Sequence, residues 1–181
     1  TKYVYGINVE TSGPTSIGLF HAIKQTNNLI NNSNDLRKIH ISISGVGKVG
    51  GKLAILLSNA GAKITASSIN HELIKNLKNK IDLTEASPED LFKTRCDIIS
   101  PCALGGVINQ SNQHQLKCKA IVGAANNQLE NVKIAEWLLE NKIVYSPDYL
   151  VNSGGVIAIA CEINNTENLL NEHLEKIADR L

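Results

Sequence analysis

Along this chain the apolar positions switch repeatedly between the 3.6-residue period of a helix face and short runs of β-branched residues, and those switches predict its elements. Ile17, Phe20, Ile23 and Ile30 predict a helix over 15–30, and the Asn- and Ser-rich stretch 27–35 predicts a solvated loop behind it. Residues 39–44 then form a short strand. From Lys48 the apolar positions Val49, Leu53, Leu56 and Leu57 return to helical spacing, and Gly61 is placed as the glycine just past the helix end. Lys63–Ser67 is the second strand. Ile98 and Ile99 behind Asp97, and Ala120, Ile121 and Val122, are apolar runs bounded by turn residues, as buried parallel strands are. Ile134, Leu138 and Leu139 mark another helix with Trp137 as core, 143–145 another strand, and Leu170, Leu174, Ile177 and Leu181 a closing amphipathic helix. This alternation predicts an α/β fold, a Rossmann-type doubly wound, mainly parallel sheet with helices on both faces, with residues 1–181 as a single domain.

The junction of the first strand and second helix carries the first chemical signal. Ile41-Ser42-Ile43-Ser44 runs into Gly45-Val46-Gly47-Lys48-Val49-Gly50, a strand, then GxGxxG, then a helix start. That context is the one in which the motif binds a dinucleotide: Gly45 for the tight turn, Gly47 for close approach of backbone to a pyrophosphate, Gly50 for helix-to-strand packing. Helix N-terminal amides then attract the anion. About 20 residues on, such a unit normally places an acidic residue for the adenosine ribose. This chain has Ser68 followed by Ile69, with His71 and Lys75 nearby. Ser68 can bond a hydroxyl but lacks the charge that repels a 2′-phosphate, so the cofactor is expected to be NAD with NADP not excluded. Ser68 as an ordinary surface strand end is the competing reading.

Charge and composition narrow the partners. Eighteen Lys and Arg against 17 Asp and Glu leave a formal +1, so no global field draws in nucleic acid or an anionic membrane. No apolar run approaches the roughly 20 residues of a membrane helix. Cys96, Cys102, Cys118 and Cys161 lack CxxC spacing and read as reduced thiols, which points to the cytoplasm. The five histidines are scattered without metal-ligand spacing, so no metal site is expected. The chain holds no Met, which reads as a piece of a longer chain or as a removed initiator.

Three later segments carry a more specific signal: Pro101-Cys102-Ala103-Leu104-Gly105-Gly106, Gly123-Ala124-Ala125-Asn126-Asn127-Gln128-Leu129, and Pro147-Asp148-Tyr149-Leu150-Val151-Asn152-Ser153-Gly154-Gly155-Val156. Together, from about Thr15 onward, they resemble the glutamate/leucine/phenylalanine/valine dehydrogenase family, with its leucine-acting branch nearest in pattern. The resemblance implies that Thr15 and Ala125, Asn126 or Asn127 hold the nicotinamide carboxamide or its ribose. It places Cys102, Ala103 and Leu104 beneath the adenosine side and Asn152 at the nicotinamide end. Each has a plainer reading: Thr15 as a helix N-cap, Asn126 and Asn127 as turn residues, Cys102 as a packed small residue.

Val156 and Ile159 would present one apolar face of the helix that lines the family's substrate side-chain pocket, unless both are core. An apolar face there favours a branched aliphatic amino acid such as leucine over glutamate, whose buried carboxylate would be unpaired. The implied activity is oxidative deamination of an amino acid to its 2-oxo acid, with hydride transfer to NAD, in a homo-oligomer. The family's lysines and acid/base aspartate lie in a substrate domain expected upstream of Thr1, so no catalytic residue is assigned here and the chain alone is expected to be inactive. A stand-alone nucleotide-sensing module and a glutamate dehydrogenase cofactor domain are the alternatives.

Overall fold

The computed structural model describes residues 10–181. Strands β1 (His40–Ser44), β2 (Lys63–Ser67), β3 (Thr84–Glu85), β4 (Ile98–Pro101), β5 (Ala120–Ile121) and β6 (Val144–Tyr145) form one sheet in the order β3-β2-β1-β4-β5-β6. Every pairing is parallel. The order runs outward from β1 in both directions, so the chain reverses between β1 and β4. A crevice opens at the carboxyl ends of these two strands, the place where ligands bind in such sheets.

Side-chain alternation along the strands explains why both faces are covered. Ile41, Ile43, Ile64, Ala66, Ile98, Ala120 and Val122 point to one face, against Leu19, Ala22 and Ile23 of α1 (Ser12–Asn31) and Leu53, Ala54 and Leu57 of α2 (Lys48–Asn59). Ile74 and Leu77 of α3 (His71–Lys78) close the same layer, with Leu174 and Ile177 from the C-terminus. Ile99 and Ile121 point the other way, onto Phe92, Ile108 and, in α5 (Val132–Glu140), Ile134 and Leu138. Burying each large aliphatic side chain contributes about 1.5–3 kcal/mol, which is what drives both layers onto the sheet. The fold class expected from the sequence is thus observed. Among the described residues no helix is long and apolar enough to cross a membrane.

Several local expectations are corrected. The stretch 27–35 is not a solvated loop from its start, because α1 continues to Asn31 and Asn27 is fully buried. Its amide Nδ2 donates to the carbonyls of Ser33 (2.6 Å) and Asp35 (3.2 Å), so Asn27 is a buried clasp for the turn. Thr15 is not an N-cap: α1 begins at Ser12, and Glu10 takes the capping role by accepting from the amides of Ser12 and Gly13. The closing helix is broken, with α8 confined to Leu170–Glu175 and a single 3₁₀ turn at Ala178–Arg180. Leu139 is 80% exposed and leaves the core to Ile134 and Leu138, while Trp137 is only half-buried, edge-on to His114. Gly61 does close α2: at φ +91° it donates to the Ser58 carbonyl while Ala62 donates to Leu57, satisfying two terminal carbonyls.

Candidate cofactor site

The crevice begins at the glycine loop. Gly45 leaves β1 with its amide on the Ser67 carbonyl (2.9 Å) and φ +91°, and a Cβ there would lie 2.5 Å from Ala103 Cβ. A Cβ on Gly50 would lie 2.0 Å from the Gly45 carbonyl oxygen. Both glycines are therefore demanded by the chain's own packing. Gly47 is different. Its backbone, at φ −70° and ψ −152°, is open to other residues, and a Cβ there meets nothing within 4 Å. Gly47 also caps α2 without offering a side chain to the first-turn amides. The outcome is an open, positively polarised helix end with room for a second backbone-sized group. A pyrophosphate fits that cradle. Val49 is half-buried and Lys48 exposed in the first turn, whereas Val46 is buried.

The neighbouring loops supply the walls. Ser68 and Ile69 follow β2: the Ser68 hydroxyl accepts from the Asn70 amide (3.1 Å), and Ile69 is 89% exposed. Across the crevice, the Cys102 amide donates to the Ser44 carbonyl (2.7 Å), setting Ala103 against Gly45 and leaving Leu104 exposed. Burial raises the Cys102 thiol above its ordinary pKa, and its sulfur lies 3.5 Å from the Ser100 hydroxyl. Cys102 is therefore a neutral, packed thiol and not a nucleophile.

The third wall follows β5. Ala125 is buried, and Asn127 adopts the left-handed conformation (φ 51°) with its amide on the Asp148 carboxylate. Asn152 Nδ2 donates to Asn126 Oδ1 (2.6 Å) and to the Ala124 carbonyl (3.2 Å). Asn126, itself exposed, is thereby held through its Oδ1. Gln128, fully buried, braces the loop through Nε2 to the Gly123 carbonyl (2.7 Å). Asp148 and Gln128 lie inside segments already singled out from the sequence, but only the folded loop shows that they hold it.

Thr15 reaches the same region from α1. Its hydroxyl donates to the Thr11 carbonyl (2.8 Å), and it lies against the start of α7 (Gly154–Asn164), where a Cβ on Gly155 would sit 2.9 Å from Thr15 Oγ1. A Cβ on Gly154 would come within 2.4 Å of the Pro14 carbonyl, so the two helix starts touch through glycine. Beyond them Val156 is 70% exposed and Ile159 half-buried. The core reading therefore fails for Val156. Among the described residues no group of three His, Cys, Asp or Glu side chains is placed to hold a metal.

A cavity of about 620 Å³ lies at the opposite edge, lined by His40, Arg95, Cys96, Asp97, Lys117, Cys118 and Lys119 at or before the strands' amino ends. No helix start faces that edge from the glycine loop, whose open amides lie at the carboxyl side. Peptide polarity thus favours an anion at the crevice beside the glycine loop.

Comparison with known proteins bears on the family and the fold. The family model for Glutamate/Leucine/Phenylalanine/Valine dehydrogenase matches residues 68–181. Phenylalanine dehydrogenase of Lysinibacillus sphaericus is 39% identical over 164 residues, covering 88% of this chain and 43% of that protein. Leucine dehydrogenase of Geobacillus stearothermophilus is 35% identical over 189 residues, covering 100% of this chain and 51% of that protein. The crystal structure of L-tryptophan dehydrogenase from Nostoc punctiforme superposes with a TM-score of 0.90 at 31% identity, over 93% of this chain and 52% of that one. The chain thus spans about half the length of the curated relatives it matches. Phenylalanine and leucine enzymes stand equally near, so the leucine-acting branch is not singled out.

Proposed function

Because the chain belongs to the glutamate/leucine/phenylalanine/valine dehydrogenase family, we propose that it is the nicotinamide-dinucleotide domain of an amino-acid dehydrogenase acting on an apolar amino acid. The observation that carries this reading is Gly47, a glycine that neither its backbone angles nor any neighbouring atom requires, at the uncapped start of α2. When bound, NAD(P) accepts the hydride released from the amino-acid Cα. This chain's residues bind and orient. The amides of Gly47, Lys48 and Val49 take the pyrophosphate, Ser68 and Ile69 border the adenosine ribose, and Ala103 and Leu104 line its underside. Asn126, steadied by Asn152, and the Thr15 hydroxyl beside the start of α7 would hold the carboxamide end. Preorganising the acceptor in this way accelerates transfer by removing a search over orientations.

Val156 and Ile159 give the side-chain pocket an apolar wall, and leucine, phenylalanine and tryptophan enzymes among the similar proteins fit that chemistry. A branched-chain substrate such as leucine is the finer reading. Acid–base groups come from residues outside this chain, in a cytoplasmic homo-oligomer. The test is amino-acid-dependent reduction of NAD by the protein carrying this domain, with leucine, phenylalanine, tryptophan and glutamate in parallel. Apolar substrates should exceed glutamate by about 100-fold or more in kcat/KM, since an unpaired buried carboxylate costs several kcal/mol. Equal or better use of glutamate contradicts the reading. The 181-residue chain alone should bind cofactor without turnover.

A further inference from the structure

The end of β2 lacks an acidic residue, yet a carboxylate stands beside it on the neighbouring strand. Glu85, the last residue of β3, pairs in register with Ala66, two residues before Ser68. Its Oε2 accepts from Lys78 Nζ at 2.6 Å, and its Oε1 lies 3.5 Å from Nδ1 of His71, three residues after Ser68. Glu85 therefore bridges the two ends of α3. The Lys78 ammonium holds its carboxyl below the usual carboxylate range, with His71 adding to the effect, so it is ionised at neutral pH. His71 is 87% exposed and Glu85 35% exposed.

We propose that Glu85 sets the choice between NAD and NADP, by occupying the Lys78 ammonium and the His71 ring nitrogen that a 2′-phosphate would otherwise recruit. The inference rests on reading the carboxyl edge as the dinucleotide site. A ribose at Ser68 would lie beside the start of α3, which begins three residues on at His71. NADP adds a phosphate of about −1.5 to −2 charge there. That phosphate meets the Glu85 carboxylate as a like charge, and can gain His71 or Lys78 only by stripping it from Glu85. NAD, with a plain hydroxyl, needs neither partner. Selectivity then resides in a salt-bridge cluster on the adjacent strand and helix, and not in the residue ending β2.

The test is calorimetric titration of NADH and NADPH into the wild-type chain, Glu85→Gln and the double variant Glu85→Gln/His71→Ala, with thermal melts to verify folding. Glu85→Gln should tighten NADPH by about tenfold, the removal of one neighbouring charge, while NADH changes by less than about twofold. The added His71→Ala should take back part of the NADPH gain. Equal changes for both cofactors, or no change with NADH still binding, overturn the proposal alone. Failure of the wild-type chain to bind either cofactor at millimolar concentration overturns the dinucleotide reading and this inference with it.

Discussion

Substituting Gly47 by alanine separates a binding role from a folding role with unusual clarity. In the free chain the added methyl meets no atom within 4 Å, and the φ of −70° is one that alanine adopts. Two small effects then oppose each other. Alanine reduces the freedom of the unfolded chain, a gain of about 0.4–1 kcal/mol, while as an N-cap it is poorer than glycine by a similar amount. Net stability should stay within about 1 kcal/mol, or about 2–4 °C in Tm for a chain of this size. Binding should change far more, because the methyl fills the space where the pyrophosphate approaches the α2 amides. A loss of about tenfold or more in NADH affinity, 1.4 kcal/mol or greater, is expected. Gly50→Ala is the contrasting variant. Its methyl would lie 2.0 Å from the Gly45 carbonyl and 3.0 Å from Cys102 Cβ, so it should lower stability by about 1–3 kcal/mol through overpacking. Thermal melts and isothermal titration of the three proteins decide the matter. If Gly47→Ala binds NADH as tightly as wild type, the open space at Gly47 is not the pyrophosphate cradle.

Asn152→Ala removes the donor that orients Asn126 and should weaken NADH binding several-fold while costing about 1 kcal/mol of stability, read by titration and melting; unchanged affinity would show that Asn126 is not a carboxamide partner. His40 gives a pH prediction. Burial, with Lys63 adding, holds its pKa below the ordinary value, and its Nε2 lies 2.8 Å from the Thr65 hydroxyl, so the folded protein keeps the neutral ring. Its stability contribution is therefore present above the unfolded pKa near 6.5 and is lost as pH falls through that value toward the depressed folded one. His40→Gln should lose less stability than wild type between about pH 7 and 5 in denaturant titrations, and identical slopes would refute the assignment.

Much of this architecture was legible because the strands announce themselves. Ile41 and Ile43, Ile98 and Ile99, and Ala120 to Val122 are too apolar and too short for anything but buried parallel strands, and Gly61 ended α2 where its left-handed geometry required. Thr84 and Glu85 of β3 were not legible, since a two-residue polar edge strand has no periodicity to detect and is held by pairing to β2. The α3 helix was missed for a related reason: only Ile74 and Leu77 are buried among charged neighbours. Thr15 and Asn27 were misplaced because Thr and Asn favour caps and loops locally, and tertiary contacts overrode that preference. At the site, the glycine loop was readable as a motif. The motif assigned the turn to Gly45, packing to Gly50 and ligand approach to Gly47, and the fold adds the contacts behind those roles: an added Cβ would lie 2.5 Å from Ala103 at Gly45 and 2.0 Å from the Gly45 carbonyl at Gly50, but meets nothing within 4 Å at Gly47. The orientation of Asn126 by Asn152, 26 residues away, likewise exists only in the fold.

The claim that the carboxyl edge of the sheet binds a dinucleotide is tested most directly by residue-resolved amide shifts of the isotopically labelled chain during titration with NADH. The account predicts saturable shifts at Gly45 to Val49, Ser68 to Asn70, Cys102 to Leu104 and Asn126 to Asn127. Arg95, Asp97 and Lys117, around the cavity at the amino edge, should stay unmoved. Shifts centred on that cavity, or none at millimolar NADH, would contradict it.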